Sequence, residues 1–337
     1  MAKLNTTYMG IELANPLIVG ACSLTSNLDT IKRLEDSGAG AVVIKSLFEE
    51  QIQLKNYLMH EELHRYDDWH AEMTSIFPNL EDGGPEEHLA WVRRAREAVK
   101  IPVIASLNAV NREAWVEYAK LLEGEKVDGL ELNFFATPTD FGKPAADIEN
   151  EEISILKDVR KVVKIPISVK LSPFYTNPLN FVKRLDETGV AGFVLFNRFF
   201  DPSLDIEAEK SDFPFNLSNP NDHRLALRYV GLLSGNVRGS LCASHGIHAP
   251  AHAIEVLLAG ADAFQVVSTL YRNSVGTIKV FQDEIKAWMD RKGYASLADF
   301  RGKLDAKHNP DKFTYRRAQY VRILMRPESF LARPKII

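Results

Sequence analysis

The sequence predicts an α/β fold, a (β/α)8 TIM barrel with long loops on its active-site side. Eight short apolar runs recur between residues 15 and 293, separated by amphipathic segments with apolar residues at three-and-four spacing. The apolar runs are nearly continuous rather than alternating, which is typical of parallel strands buried on both faces. Eight such strand and helix units are enough to close a barrel around one core.

The predicted strands follow one another in the order Pro16–Ala21, Ala41–Ser46, Pro102–Leu107, Gly129–Asn133, Pro166–Leu171, Gly192–Asn197, Ser240–Ser244 and Ala263–Thr269. Helices are predicted between them, among them Glu86–Val99, Arg112–Leu122 and Ala249–Leu258. We expect the barrel to occupy residues 1–305. A basic helical tail, 306–337, is expected to pack against the barrel or against a second subunit.

Three connections are longer than a bare barrel needs. They span residues 47–84, 134–150 and 199–221, and each of them follows a strand. In a (β/α)8 barrel the active site lies at the carboxyl ends of the strands. We therefore expect these loops to cover a site, and polar residues at those strand ends to carry the function.

Composition and charge argue against several classes of partner. The 337 residues carry a net charge of -4, which argues against a nucleic-acid-binding surface. The sequence has no run of about eighteen apolar residues and no secretory signal, so we expect a cytoplasmic protein without membrane contact. The two cysteines, Cys22 and Cys242, are too few for a disulfide scaffold or an iron–sulfur centre. Any redox cofactor must therefore be organic and bound, or be carried by a partner.

One short motif points to a different chemistry. His60 and His64 begin and end an HEELH segment that fits the HExxH pattern of zinc hydrolases, with His70 at the spacing of a third ligand. Asp67 stands where that pattern has glycine, and the motif lies in a connection of the predicted barrel. We expect a solvated, charged helix there and no functional metal. Adventitious metal binding and metal-dependent hydrolysis are the alternatives.

Amines and amides stand at the ends of four predicted strands. Lys45 and Ser46 end the second strand, and Lys170 lies near the end of the fifth, where a buried lysine is costly unless an anionic or electron-rich group meets it. Asn133 and Asn197 end the fourth and sixth strands, and their amides suit the edges of a planar heterocycle. These groups predict a site for such a ring. Structural salt bridges are the alternative for the two lysines.

Small residues stand at the ends of the last two strands. Ser244, His245 and Gly246 come at the end of the seventh strand, and Ser268 and Thr269 end the eighth. Backbone N–H groups at these positions commonly hold a phosphate in (β/α)8 barrels, and glycine lets the phosphate approach closely. The loops therefore predict a phosphate site, although a tight turn without a ligand would require the same residue types.

Taken together, these segments resemble the dihydroorotate dehydrogenase family. The segments that match in order are ANPLIVGA (14–21), VVIKS (42–46), LELN (130–133), TPTDFGKP (137–144), SVKLSP (168–173), the loop with Gly246-Ile247, and KGYASLADFRGKL (292–304). The resemblance covers roughly residues 5–305. It implies a divergent, class 1-like oxidoreductase of pyrimidine biosynthesis, with FMN as the cofactor.

The resemblance also implies roles for particular residues. The flavin ring would be lined by Gly20, Ala21, Lys45, Ser46, Asn133 and Lys170. Its phosphate would be held by Ser244, His245, Gly246, Ser268 and Thr269. Asn133 and Asn197 would face the substrate, Lys45 would be a catalytic residue together with the proton acceptor, and a hydride would pass to flavin N5. A homodimer is implied, with either a soluble electron acceptor or a separate electron-transfer subunit.

The proton acceptor of the family is a Cys or Ser in a loop that reads N-x-S-(C/S)-P-N. If residues 142–144 set the register, Thr137 takes that catalytic position and Thr139 replaces a substrate-binding Asn. Aligned from Asn133 instead, the position falls on Ala136 and the loop has no base. A threonine hydroxyl is a poor base unless a neighbour or a water chain takes its proton.

The sequence thus favours an FMN-dependent oxidoreductase that acts on a CH–CH bond next to a carbonyl, in dihydroorotate or a related planar compound. The altered base segment leaves a non-catalytic or partner-dependent flavin protein as one alternative. The phosphate loops leave a second, a barrel lyase or isomerase that grips a phosphorylated substrate without redox chemistry.

Overall fold

Eight parallel strands close a barrel in the computed structural model of this chain, and the predicted (β/α)8 fold is confirmed. The structure describes residues 2–49, 52, 85–135, 138–198, 202–212 and 217–325. Numbered within the whole chain, the barrel strands are β3 (Leu17–Val19), β4 (Ala41–Phe48), β5 (Val103–Asn108), β6 (Gly129–Phe134), β7 (Ile167–Leu171), β8 (Gly192–Leu195), β11 (Ser240–Ala243) and β12 (Ala263–Val266). They pair in chain order, and β12 closes the barrel against β3.

Helices cover the outside of the barrel. The described helices are α1 (Leu28–Asp36), α2 (Glu86–Ala98), α3 (Arg112–Gly124), α4 (Ala145–Val162), α5 (Pro178–Glu187), α6 (His223–Leu233), α7 (Pro250–Ala259), α8 (Ser268–Asn273), α9 (Thr277–Lys292) and α10 (Ala318–Leu324). The amphipathic spacing explains their seating, since α2 buries Leu89, Val92 and Ala95 on one face. The three helices whose bounds were predicted differ from the observed ones by one or two residues at an end.

A short antiparallel hairpin closes the amino-terminal end of the barrel. It consists of β1 (Thr6–Tyr8) and β2 (Ile11–Leu13). The hairpin inserts Tyr8 and Met9 among the apolar side chains of the barrel interior, and Tyr8 is fully buried. The Met9 N–H donates to Ser240 Oγ at 3.1 Å, which ties the hairpin to the start of β11. With this end plugged, the interior opens toward the carboxyl ends of the strands.

The last predicted strand is too long. β12 ends at Val266, and Ser268 and Thr269, predicted to end this strand, begin α8 instead. Val267 has φ -140° and ψ -67°, so the chain leaves the extended conformation there and turns into the helix. The apolar run continues because the first residues of α8 are also largely buried, and an apolar run does not mark where a strand ends. β8 and β11 likewise end before Asn197 and Ser244.

The long connections are described only in part. The connection 199–221 carries an unpredicted hairpin, β9 (Ser203–Asp205) paired with β10 (Lys210–Asp212). Thr137 and the three histidines of the HExxH motif, His60, His64 and His70, lie outside the described residues. In the part of the chain that the structure covers, no group of three or more His, Cys, Asp or Glu side chains could hold a metal ion. No helix of that part is long and apolar enough to cross a membrane.

The first part of the tail packs on the barrel. The Ala306 N–H donates to Gly231 O of α6 at 2.8 Å, and Arg228 of the same helix donates to Gln319 Oε1 at 2.9 Å. The Tyr315 ring lies so close to Gly231 that a Cβ at that position would be 2.4 Å from ring atoms. Residues 306–325 therefore follow α6 along the outside of the barrel.

Candidate active site at the barrel mouth

Charged and amide side chains of β6 and β7 lie side by side at the mouth of the barrel. Side chains along a strand alternate between the interior and the surrounding helices, so Glu131 and Asn133 of β6 face inward. Asn133 pairs in register with Lys170 on β7. Lys45 lies on β4, where a register irregularity between Ile44 and Leu47 accompanies the end of the strand.

A buried network holds Lys170 below the mouth. Its Nζ lies 3.2 Å from Gln265 Oε1 and 3.5 Å from Glu131 Oε1. Gln265 Nε2 donates to Glu131 Oε2 at 2.5 Å, which fixes the amide so that its oxygen faces the lysine. Glu131 and Gln265 are almost fully buried, and Lys170 is 8% exposed. Opposite charges that are buried together offset part of their desolvation cost, so the network keeps an ammonium in the barrel interior.

Two amides face each other at the same height. Asn197 Nδ2 donates to Asn133 Oδ1 at 2.9 Å. The Asn197 backbone N–H donates to Leu171 O at 2.8 Å, which positions this residue just after β8. The bond between the amides uses one donor of Asn197 and the oxygen of Asn133, so the Asn133 NH2 and the Asn197 oxygen can serve a planar ligand.

The loops after β11 and β12 line one cavity with the lysine. The cavity, of about 140 Å³, is lined by Ala21, Lys170, Asn197, Ser244, His245, Gly246 and Ser268, among others. Gly246 has φ +74°, and a Cβ there would lie 2.2 Å from His223 N, so only glycine fits. His245 has φ +80°, which is uncommon for a residue with a side chain. The backbone of this loop is therefore packed tightly against the start of α6 at the edge of the cavity.

Ser218 ties these loops together. Its backbone N–H donates to Ser268 Oγ at 3.0 Å, and its Oγ accepts from the Gly246 N–H at 3.3 Å and lies 3.0 Å from His248 Nε2. Ser218 is buried and lines the same cavity. It joins the connection 199–221 to both predicted phosphate loops.

An ionic cluster forms one wall of the cavity. Asp222 Oδ2 lies 2.9 Å from His245 Nε2 and 3.3 Å from Arg198 Nη1. Burial lowers the pKa of His245 and outweighs the hydrogen bond to Asp222. Burial opposes the ionisation of Asp222, but the Asn219 N–H and His245 hold its pKa below the usual value. Asp222 and Arg198 thus both contact His245 Nε2 and hold the ring in place at the edge of the cavity.

Known proteins resemble this chain in sequence over most of its length. The sequence profile of the dihydroorotate dehydrogenase family matches residues 72–289. The chain belongs to the dihydroorotate dehydrogenase family. A dihydroorotate dehydrogenase is an oxidoreductase, so the predicted family and enzyme class are confirmed.

Three relatives carry the name dihydroorotate dehydrogenase B (NAD(+)), catalytic subunit. The protein from Thermoplasma volcanium is 27% identical over 90% of this chain and 98% of its own length. The protein from Methanocaldococcus jannaschii is 28% identical over 85% of this chain and 93% of its own length. The protein from Pyrococcus abyssi is 25% identical over 89% of this chain and 98% of its own length. The likeness thus extends over nearly the whole length of these proteins.

The remaining predicted residues of this dihydroorotate dehydrogenase family member occupy different surroundings. Ser46 is buried, and its Oγ lies 2.7 Å from Ser106 Oγ. Lys45 is half-buried and close enough to His88 that its charge adds to burial in lowering the pKa of His88 to about 4. The Gly20 N–H donates to Val266 O at 3.2 Å, which places this residue between the ends of β3 and β12.

Two further residues predicted to bind a ligand, Thr269 and Thr139, lie among the described residues. Thr269 is fully buried in α8 and does not line the cavity, and its hydroxyl donates to His248 O at 3.5 Å. This bond ties the loop after β12 to the loop after β11, and a role of Thr269 at the phosphate stays a prediction. Thr139 is exposed in the connection after β6. Thr137 lies outside the described residues, so its role as the base stays a prediction.

Sequence reasoning missed three residues of the mouth. Glu131 and Gln265 are polar residues inside otherwise apolar strands, and that contrast was a usable signal. Ser218 lies in the long connection that precedes α6. No local sequence pattern marks it, because its contacts are with distant parts of the chain.

Proposed function

We propose that the barrel mouth binds FMN and that the enzyme oxidises a CH–CH bond next to a carbonyl, in dihydroorotate or a related planar substrate. The observation that carries this proposal is the arrangement around Lys170: a buried ammonium held by Gln265 and Glu131, beside the Asn133 and Asn197 amides and open to the loop with Gly246.

The residues present fit this cofactor. Lys170 has three N–H donors, and its two described contacts leave one for the electron-rich carbonyl edge of the flavin ring. Beyond its 3.5 Å ion pair with Lys170, the buried Glu131 Oε1 makes no hydrogen bond within the described residues, so the Lys170 ammonium keeps donor capacity for a further acceptor. At Gly246 a Cβ would collide with the backbone of α6, so glycine holds this loop against the helix at the edge of the cavity, where the proposed phosphate would lie.

The chain's own residues would bind, orient and deprotonate. FMN, when bound, supplies the hydride acceptor at its N5. Lys170 and Lys45 would face the ring as cations, and Gly20, Ala21 and Ser46 would complete its surroundings. Asn133 and Asn197 would hold the planar substrate through hydrogen bonds to its edge, with Thr139 at the rim. Thr137 would take the substrate proton and pass it to a neighbour or a water.

The phosphate would lie on the loops after β11 and β12. Ser244, Gly246 and Ser268 line the cavity, where the two serine hydroxyls can donate to a phosphate. A neutral His245 can present a hydrogen-bond donor to Asp222 without adding charge. Ser218 would keep the two loops at a fixed spacing.

The names of the relatives guide the proposal for partners. They are catalytic subunits of enzymes that use NAD(+). We therefore propose that electrons leave through a separate electron-transfer subunit or a soluble acceptor. We also propose a cytoplasmic homodimer, a role in pyrimidine biosynthesis, and a division into a barrel of residues 1–305 and a tail of residues 306–337.

The visible absorption spectrum of freshly purified protein, followed by anaerobic addition of dihydroorotate, tests the proposal. We expect flavin bands that bleach when dihydroorotate is added. Bands that persist would retain the flavin site and exclude dihydroorotate as the substrate. A protein that takes up no flavin after incubation with FMN would overturn the proposal and favour a barrel lyase or isomerase.

A further inference from the structure

A second cavity lies outside the barrel wall, between α3 and α4. It has a volume of about 360 Å³ and shares no lining residue with the cavity at the mouth. Phe134 follows Asn133 on β6 and therefore faces the helices, where its ring packs edge-on against Trp115 at 5.4 Å. Phe135 and Ile155 add further apolar surface. The volume falls within the range of small-molecule sites.

One wall of this cavity is acidic and buried. Glu152 of α4 is 7% exposed, and the Tyr175 hydroxyl donates to its Oε2 at 2.8 Å. Burial raises the pKa of Glu152 to about 7, although the bond from Tyr175 opposes the rise. A buried carboxyl in an apolar wall is costly without a cationic partner.

The nearby cations of the described chain are committed to other acids. Lys143 lies at the rim and pairs with Glu151 at 2.7 Å. Arg184 pairs at 2.6 Å with Glu149, which lies on the same helix as Glu152 and three residues before it. Within the described residues, no salt bridge reaches Glu152. The acid thus borders a partly apolar cavity without a cation of its own among the described residues.

We propose that this cavity binds a small organic ammonium ligand, with its charged nitrogen on Glu152 and its aromatic or other apolar body against Trp115 and Phe134. A carboxylate meets the charge of such a ligand, and aromatic rings attract both its cationic end and its apolar part. An anionic ligand would face Glu151 and Glu152 with Lys143 alone in its favour.

This site does not depend on the flavin proposal. Phe135 and Pro138, which precede and follow the segment with the proposed base Thr137, line the cavity. None of its lining residues is among the flavin-binding residues proposed above. Binding can therefore be measured whether or not the protein carries FMN.

Calorimetric titration with benzylamine, and with benzyl alcohol as a neutral probe of the same shape, tests the proposal. At pH 8 we expect benzylamine to bind at least tenfold more tightly than benzyl alcohol. We expect Glu152→Gln to abolish that preference and Glu151→Gln, at the exposed rim, to keep it. Affinity for benzylamine should rise severalfold from pH 6 to pH 8, because Glu152 ionises over that range while an alkyl ammonium stays charged.

A second variant separates binding from folding. Ile148→Trp places a large side chain at the cavity wall, one helical turn before Glu152, and leaves the carboxyl itself unchanged; we expect it to remove binding of both probes while the circular dichroism spectrum is unchanged. Equal affinity for amine and alcohol would overturn the proposal. Benzylamine binding that is unchanged in the Glu152→Gln variant and in the Ile148→Trp variant would also overturn it.

Discussion

At the scale of single residues, the mouth depends on one buried ion pair. Lys170 and Glu131 lie in the barrel interior with side-chain exposures of 10% and 1%. The desolvation free energy of either charge buried alone would be large, so Lys170 and Glu131 each need the other in the barrel interior. Gln265 forms hydrogen bonds to both residues and is uncharged, so it needs no counter-charge of its own.

Replacing Glu131 by Gln should therefore be strongly destabilising. The change leaves the Lys170 ammonium buried without a counter-charge, and breaking such a pair typically costs about 3–5 kcal/mol. Urea unfolding would measure the loss. The matched control is Glu151→Gln, which removes a surface pair and should cost no more than about 1 kcal/mol. Equal stabilities of the two variants would show that the interior pair is solvated.

The proposed base makes a prediction of a different kind. Thr137→Ala should slow flavin reduction by dihydroorotate about 10²–10⁴-fold, the usual contribution of a positioned base, without changing the FMN content. Anaerobic stopped-flow absorbance measures the rate, and Thr137→Ser should retain most of it. An unchanged rate in Thr137→Ala would assign the base elsewhere. An absent rate in the wild type with FMN bound would favour a non-catalytic flavin protein.

At the scale of elements, the contact between α6 and the tail is set by one glycine. Gly231 lies in the helix, where alanine would be preferred by about 1 kcal/mol, yet a Cβ at this position would overlap the Tyr315 ring. The absence of a side chain therefore serves the packing of the tail rather than the helix itself.

Gly231→Ala should accordingly loosen the tail and spare the barrel. Overpacking of this kind costs about 1–3 kcal/mol, which exceeds the gain in helix propensity. Limited proteolysis should show faster cleavage within residues 306–325, and combining the change with Tyr315→Ala should remove the extra sensitivity caused by the overlap. Gly124→Ala, at the end of α3 with nothing within 4 Å of its Cβ, is the control and should leave cleavage unchanged. Cleavage that does not respond to Gly231→Ala would mean that the tail is not held at this contact.

At the scale of the whole molecule, the fold has one closed end and one open end. The hairpin of β1 and β2 plugs the amino-terminal end, while the loops after β11 and β12 meet the buried lysine at the other. A ligand that spans lysine and loops would join β7 to β11 and β12, which lie in one half of the closed barrel, and should stabilise the closed barrel as a whole.

Flavin binding should thus appear as a gain in global stability that depends on the phosphate. FMN at a hundred times its Kd should add about 2.7 kcal/mol to the free energy of unfolding. Riboflavin, which lacks the phosphate, should stabilise less at the same concentration. Gly246→Ala should remove most of the difference between the two, because its Cβ would collide with α6 and displace the loop. Equal stabilisation by FMN and riboflavin would contradict the proposed phosphate position.

The sequence by itself determined the barrel, because burial on both faces leaves a local mark in every parallel strand. Continuous apolar runs separated by amphipathic helices, and the polar residues Lys45, Asn133 and Lys170 at their ends, are readable one segment at a time. The family resemblance followed from the same segments taken in order.

Only the tertiary structure decided which of these residues meet. Closure of the barrel brings Glu131 and Gln265, 134 positions apart, within 2.5 Å of each other, and no local pattern encodes that pairing. The same holds for Ser218 beside Gly246, for Tyr8 in the barrel floor, and for Glu152 in the wall of the cavity between α3 and α4. Sequence patterns report burial, which is a property of one residue, whereas a site is a set of distances fixed by the packing of the whole chain.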